Sequence, residues 1–119
     1  MIVRTVAAKF AELCRQNFDV MRTMYARDMV SVEGDGKETA GRDPGIEKSE
    51  DWVSGKTFNG ETVAGPFFNG ANPDQLVVFF TLDITPKANG QRIRREEVAM
   101  YAVQNDKIRR EQFCDDGAR

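Results

Sequence analysis

Histidine is absent from the chain, and cysteine occurs only twice, as Cys14 and Cys114. The first absence removes Ser-His-Asp and Cys-His nucleophile systems within the chain, and with them the commonest transition-metal ligand. Two distant thiols cannot form a four-cysteine zinc site, and neither lies in a CxxC motif. They read as buried free thiols in a reducing compartment, with a single disulfide as the alternative. A basic excess is missing too: 17 Lys and Arg stand against 19 Asp and Glu, a net charge of −2. No nucleic-acid partner is expected of such a balance. Long apolar runs are also lacking. A run such as Leu76 to Phe80 falls far short of the roughly 20 residues that span a bilayer. Met1-Ile2-Val3-Arg4-Thr5 meets a charge too early for a secretory signal. The expectation is a cytoplasmic protein with no membrane partner, no metal and no cofactor.

What is present suits one small folded unit. The chain has 119 residues, 40% of them hydrophobic, enough for one core and one domain over 1–119. It is too short for a dinucleotide-binding domain plus a substrate domain, or for an eightfold strand–helix barrel.

Val3, Val6, Ala7, Phe10, Leu13 and Cys14 recur at three- and four-residue spacing and predict a first helix. Asp19 is placed to cap a second, short one carrying Val20, Met21, Met24 and Tyr25. Met29 to Glu33 reads as a short strand, and Gly34-Asp35-Gly36-Lys37 as a turn. Gly41 to Gly55 reads as a third helix, with Pro44 in its first turn, Gly55 as its stop and Trp52 as its main anchor. From Lys56 the pattern changes to strands. The segments near 57–68, 75–85, 92–103 and 108–114 are rich in β-branched and aromatic residues. Asn105-Asp106 sits at the centre of a tight hairpin turn. Helices followed by antiparallel strands make an α+β fold with helices on one face of a sheet.

The turns suggest a register. Gln104 opposite Lys107 would place Met100 against Glu111 and Val98 against Phe113. Thr85 opposite Arg92 would place Asp83 against Arg94, Thr81 against Glu96 and Phe79 against Val98. One face then carries Phe79, Val98, Met100, Glu111 and Phe113, and the other Ala99, Tyr101 and Gln112. Helices cover only one face, so a homodimer through the Tyr101, Ala99 and Gln112 face is expected.

Several segments carry a family resemblance: the helix pair from Phe10 to Asp28 running into Tyr25-Ala26-Arg27-Asp28-Met29-Val30-Ser31-Val32-Glu33; Val63-Ala64-Gly65-Pro66; Leu82-Asp83-Ile84-Thr85-Pro86-Lys87; Glu97-Val98-Ala99-Met100-Tyr101-Ala102-Val103; and Asp106-Lys107-Ile108-Arg109-Arg110-Glu111-Gln112-Phe113. The chain resembles the SnoaL-like group of the nuclear-transport-factor-2-like superfamily, which also holds ketosteroid isomerase and scytalone dehydratase. The resemblance implies a cone: a strongly curved antiparallel sheet wrapped round three helices, with a ligand pocket inside and frequent homodimers. It also implies carboxylate acid–base chemistry on small ketones or polyketides in the catalytic members. Carried over by position, the oxyanion tyrosine of ketosteroid isomerase falls on Phe10 and its protonated aspartic acid on Val98. Its base falls near Glu33, Gly34 and Asp35. Phe10 and Val98 cannot donate hydrogen bonds, so isomerisation by that route is excluded.

Glu111 is the leading catalytic candidate, as a carboxyl among apolar neighbours with a raised pKa. The competing reading pairs it with Arg109 or Arg94 in a surface ladder. Asp115 is a second candidate, beside Asp116 and within reach of Glu96, against a solvated tail. Asp35 is a third, against plain turn chemistry. Phe10, Cys14, Trp52, Phe79, Val98, Met100 and Phe113 are expected to line the ligand cavity. Two functions remain open. One is a cofactor-independent isomerase, cyclase or hydrolase acting on a small apolar substrate. The other is a non-catalytic ligand-binding or dimeric accessory module.

Overall fold

A computed structural model describes residues 18–114. They form α1 (Phe18–Met24), β1 (Tyr25–Val32), β2 (Glu38–Ala40), α2 (Arg42–Ser54), β3 (Lys56–Phe68), β4 (Gln75–Pro86), β5 (Ile93–Gln104) and β6 (Lys107–Cys114). The architecture is α+β, and the helix expected over 3–14 lies outside the described residues. The six strands make one open, curved sheet in the order β2-β1-β6-β5-β4-β3. All pairings are antiparallel except β1 with β6, which run parallel. That parallel contact corrects the expectation of antiparallel strands alone. It arises because β6, returning from its hairpin with β5, closes on a strand from the first third of the chain. No helix of the described residues is long and apolar enough to cross a membrane.

The local chemistry accounts for the helix boundaries. Gly41, at φ 99°, precedes α2 in a conformation other residues rarely adopt. Its N–H donates to Met29 O at 2.7 Å, which ties the helix entry to β1. Gly55 closes the helix, its N–H donating to Asp51 O. The helix docks through Gly45 and Ile46. A Cβ on Gly45 would stand 3.3 Å from Met29 Sδ, so the bare glycine lets helix and strand approach. The core gathers Met21, Met24, Tyr25, Met29, Ile46, Leu76, Val78, Ala99, Tyr101, Val103 and Ile108.

Register decides which residues share that core. The β4–β5 pairs recur as the turns imply, with Asp83 opposite Arg94, Thr81 opposite Glu96 and Phe79 opposite Val98. Asn105 and Asp106 take φ of 53° and 68°, the left-handed pair that a tight hairpin needs. Gln104 faces Lys107 as expected, but a shift between Ala102 and Val103 then offsets the strands by one. Glu111 is opposite Tyr101 rather than Met100, and Phe113 is opposite Ala99 rather than Val98. One extra residue reverses the facing of everything beyond it. Glu111 and Phe113 therefore share the inner face with Phe80, Leu82, Ala99 and Tyr101. Phe79, Val98 and Met100 lie on the outer face.

The expected dimer face is corrected because the helices pack against it. Ala99 and Tyr101 are buried in the core, and Gln112 points the other way. Among the described residues no helix covers the outer side, where Phe67 (53% exposed) and Phe79 (47%) meet edge to face at 5.7 Å. Cys114, at its margin, is an exposed free thiol rather than a buried one. Cys14 is outside the described residues.

Candidate functional site

Glu111 sits where β6, β5 and β1 meet. It faces Tyr101 across β5 and Ser31 across the parallel contact with β1. Ser31 alternates inward with Met29, so a short hydroxyl stands in an otherwise apolar row. Tyr25, the first residue of β1, lies before the register shift that separates it from Val30. Its ring is buried, and its hydroxyl donates to Glu111 Oε1 at 2.6 Å. Ser31 Oγ donates to Oε2 at 2.9 Å. From α2, Lys48 Nζ donates to Ser31 Oγ at 2.6 Å and forms an ion pair with Glu33. Its ammonium also lies 5.6 Å from the centre of the Phe113 ring.

Glu111 is only 3% exposed. Burial raises its pKa above the ordinary 4.5, because an ionised carboxyl loses hydration there. The Tyr25 bond, the Lys48 charge and the Ser31 bond pull the other way, while the Glu33 charge adds to the rise. Neither Arg109 nor Arg94 takes part. Arg109 turns to Asp28 and Gln104, and Arg94 stands opposite Asp83 on the outer side.

This group borders an open cavity of about 620 Å³ lined by α1, α2, the β1–β2 turn and the inner sheet face. Phe18, Met21, Trp52, Val53, Phe58, Phe80, Leu82 and Phe113 supply apolar wall. Trp52 meets Phe58 edge to face at 5.9 Å and carries Lys56 Nζ 4.1 Å over its ring. Glu97 also borders the cavity, paired at 3.3 Å with Arg95, both being buried. Apolar walls with a few converging polar groups are the usual composition of a small-molecule site.

Of the expected site residues, Glu111, Asp35, Trp52 and Phe113 border this cavity. Asp35 also shapes the β1–β2 turn, accepting from the Lys37 N–H at 2.9 Å. Phe79, Val98 and Met100 are corrected to the outer face, because the helices pack on the opposite side of β4 and β5. Phe10, Cys14 and Asp115 lie outside the described residues, and Glu96, the suggested companion of Asp115, is exposed on the outer face. Tyr25, Ser31 and Lys48 were missed. The inward alternation of Ser31 with Met29 was the one available signal, and it pointed to a polar group needing a buried partner. Among the described residues, no group of three or more His, Cys, Asp or Glu is placed to hold a metal ion.

The family model of the SnoaL-like domain matches residues 1–114. Among solved structures, a Mesorhizobium loti protein named as a SnoaL-like polyketide cyclase is similar at 34% identity and TM-score 0.83, over 95% of this chain and 98% of that one. A Xanthomonas campestris protein named as a polyketide cyclase gives 16% identity and TM-score 0.69, over 95% and 86%. An LEH-like epoxide hydrolase from M. tuberculosis gives 13% identity and TM-score 0.73, over 97% and 82%. The last two show likeness of fold alone. No curated protein matches the chain.

Proposed function

The chain belongs to the SnoaL-like domain family, and from that premise we propose that it is a cofactor-independent acid–base enzyme for a small, largely apolar molecule. The carrying observation is a buried carboxyl, Glu111, in the wall of an apolar cavity, held by Tyr25 and Ser31. A carboxyl whose pKa is raised by burial is a stronger base than an ordinary carboxylate and holds its proton more firmly as an acid. As a base, Glu111 takes a proton from a substrate carbon, and the released electron pair passes to an adjacent carbonyl or leaving group. As an acid, it returns the proton. Lys48 adds positive charge beside the developing anion. The name of the Mesorhizobium loti relative, a SnoaL-like polyketide cyclase, supports a small-molecule substrate.

Two further features belong to this reading. A third helix over 3–14 would complete the cone and seat Phe10 and Cys14 at the cavity. A homodimer would form through the outer face, where Phe67, Val77, Phe79, Val98 and Met100 gather. On that face Arg94 and Glu96 offer opposite charges two positions apart, an arrangement that would suit reciprocal pairing across a two-fold axis.

The competing reading is a binding module without chemistry. It draws on the fact that both Glu111 oxygens already accept a hydrogen bond from the protein. The colorimetric probe 5-nitrobenzisoxazole tests whether Glu111 is free to act as a base, since its ring opens when a carboxylate removes one C–H proton. Acid–base catalysis predicts turnover about 10²-fold or more above Glu111→Gln, following deprotonation of one group. Wild-type protein no faster than Glu111→Gln would overturn the enzyme reading and leave the binding module.

A further inference from the structure

The protonation of Glu111 is set by its neighbours, and on its Ser31 side the hydrogen-bond direction is fixed. Among the described residues, it faces Tyr25 and Ser31 from β1, Glu33 just beyond that strand, Lys48 from α2 and Tyr101 from β5. An ammonium can only donate, so in the Lys48–Ser31 bond of 2.6 Å the serine oxygen accepts. The one hydroxyl hydrogen of Ser31 is thereby directed to Glu111 Oε2, 2.9 Å away. Tyr25 fills the other oxygen. At Oε2 the carboxyl can therefore only accept, which favours the ionised form, whereas the Tyr25 hydroxyl at Oε1 suits either form, donating to a carboxylate or accepting from a carboxyl.

Without Lys48, the Ser31 hydroxyl is able to turn and accept from a protonated Glu111. The neutral carboxyl would gain a bond that the ionised one loses.

We propose that Lys48 is a positioning residue: by donating to Ser31 it orients that hydroxyl and sets whether Glu111 enters the reaction as base or as acid. Glu33 is the counterweight. Its carboxylate shares the Lys48 ammonium through their ion pair and places a second negative charge near Glu111. This inference rests on the acid–base reading above and names what tunes it. Its value lies in the opposite signs it requires. Removing the cation and removing the Glu33 charge must move Glu111 in contrary directions, which a merely structural role would not do.

The test is the titration of the Glu111 side-chain carboxyl carbon by NMR, its signal identified by its loss in Glu111→Gln. Wild type is compared with Lys48→Met, Lys48→Arg, Glu33→Gln and Ser31→Ala. Lys48→Met should raise the midpoint by about one pH unit or more, tenfold in proton affinity. Lys48→Arg keeps the cation and its donors and should restore the wild-type midpoint. Glu33→Gln should lower it. In a Ser31→Ala background the effect of Lys48→Met should fall by more than half. An unmoved midpoint in Lys48→Met overturns the proposal. So does a full shift surviving in Ser31→Ala, which would mean charge acting through space alone. Should Lys48→Met fail to fold, Glu33→Gln still decides, because a raised midpoint there contradicts the counterweight. The titration needs no turnover. An inactive protein with the expected shifts refutes only the acid–base reading, and an active one without them refutes only this proposal.

Discussion

Replacing Glu111 by glutamine turns its environment into a measurable dependence of stability on pH. Burial lifts the native carboxyl above its ordinary value of 4.5, against the opposing pulls of Tyr25, Lys48 and Ser31. The native protein therefore holds this proton over a window in which the unfolded chain has released it. The associated stability is fully present below the unfolded value and is lost as pH rises through the native one. One proton caps the slope at about 1.4 kcal/mol per pH unit. Glutamine does not titrate, so the difference between variant and wild type cancels every other group. Asp83 is one such group. Its bond from Arg92 lowers its pKa, so its contribution is lost as pH falls, the opposite sense. The variant also carries a constant cost. Its amide oxygen still accepts from Tyr25, but its NH₂ meets a Ser31 oxygen already bonded to Lys48, leaving the serine hydrogen without an acceptor. That offset is about 1–3 kcal/mol. Urea unfolding, followed through the fluorescence of the only tryptophan, Trp52, reads both terms across the acid-to-neutral range. The difference should be flat in acid, climb in favour of Glu111→Gln through the window, and then level off. A difference flat throughout would refute burial as the controlling effect. A difference falling as pH rises would show that Tyr25, Ser31 and Lys48 outweigh it.

The other expectations concern packing and assembly. Ile46 is fully buried where α2 docks on the sheet, so Ile46→Ala should cost about 2–5 kcal/mol in urea unfolding; a loss well under 1 kcal/mol would contradict that docking. Phe79→Lys should convert a dimer to a monomer in sedimentation while leaving unfolding within about 0.5 kcal/mol of wild type. A wild-type protein already sedimenting at 13.4 kDa would defeat the dimer.

Much of the element order could be read from local chemistry. Gly41, Pro44 and Gly55 bracket α2 because a positive φ, a fixed φ and a helix stop are properties of single residues. Asn105-Asp106 makes its turn for the same reason, and the β4–β5 register follows from the loop that joins those strands. The absence of histidine and of clustered cysteine was equally plain, as was a carboxyl on the last strand with apolar neighbours along it.

Which residues that carboxyl meets was not legible in the same way. A bulge at Arg109, opposite the Ala102–Val103 step, leaves no mark in the alternation of residue types, yet it turns Glu111 and Phe113 toward Tyr101 and Ala99. Phe79, Val98 and Met100 keep their expected β4–β5 register and stay on the opposite, outer face, because the helices pack on the Ala99 and Tyr101 side. The parallel pairing of β1 with β6 joins segments about 80 positions apart, and no local preference announces it. Tyr25, Ser31 and Lys48 reach Glu111 only through that pairing and the docking of α2. Local propensity and turn chemistry act over a few residues and so are written in the sequence. The site depends on strand register and on contacts across the whole chain, which only the packed fold decides.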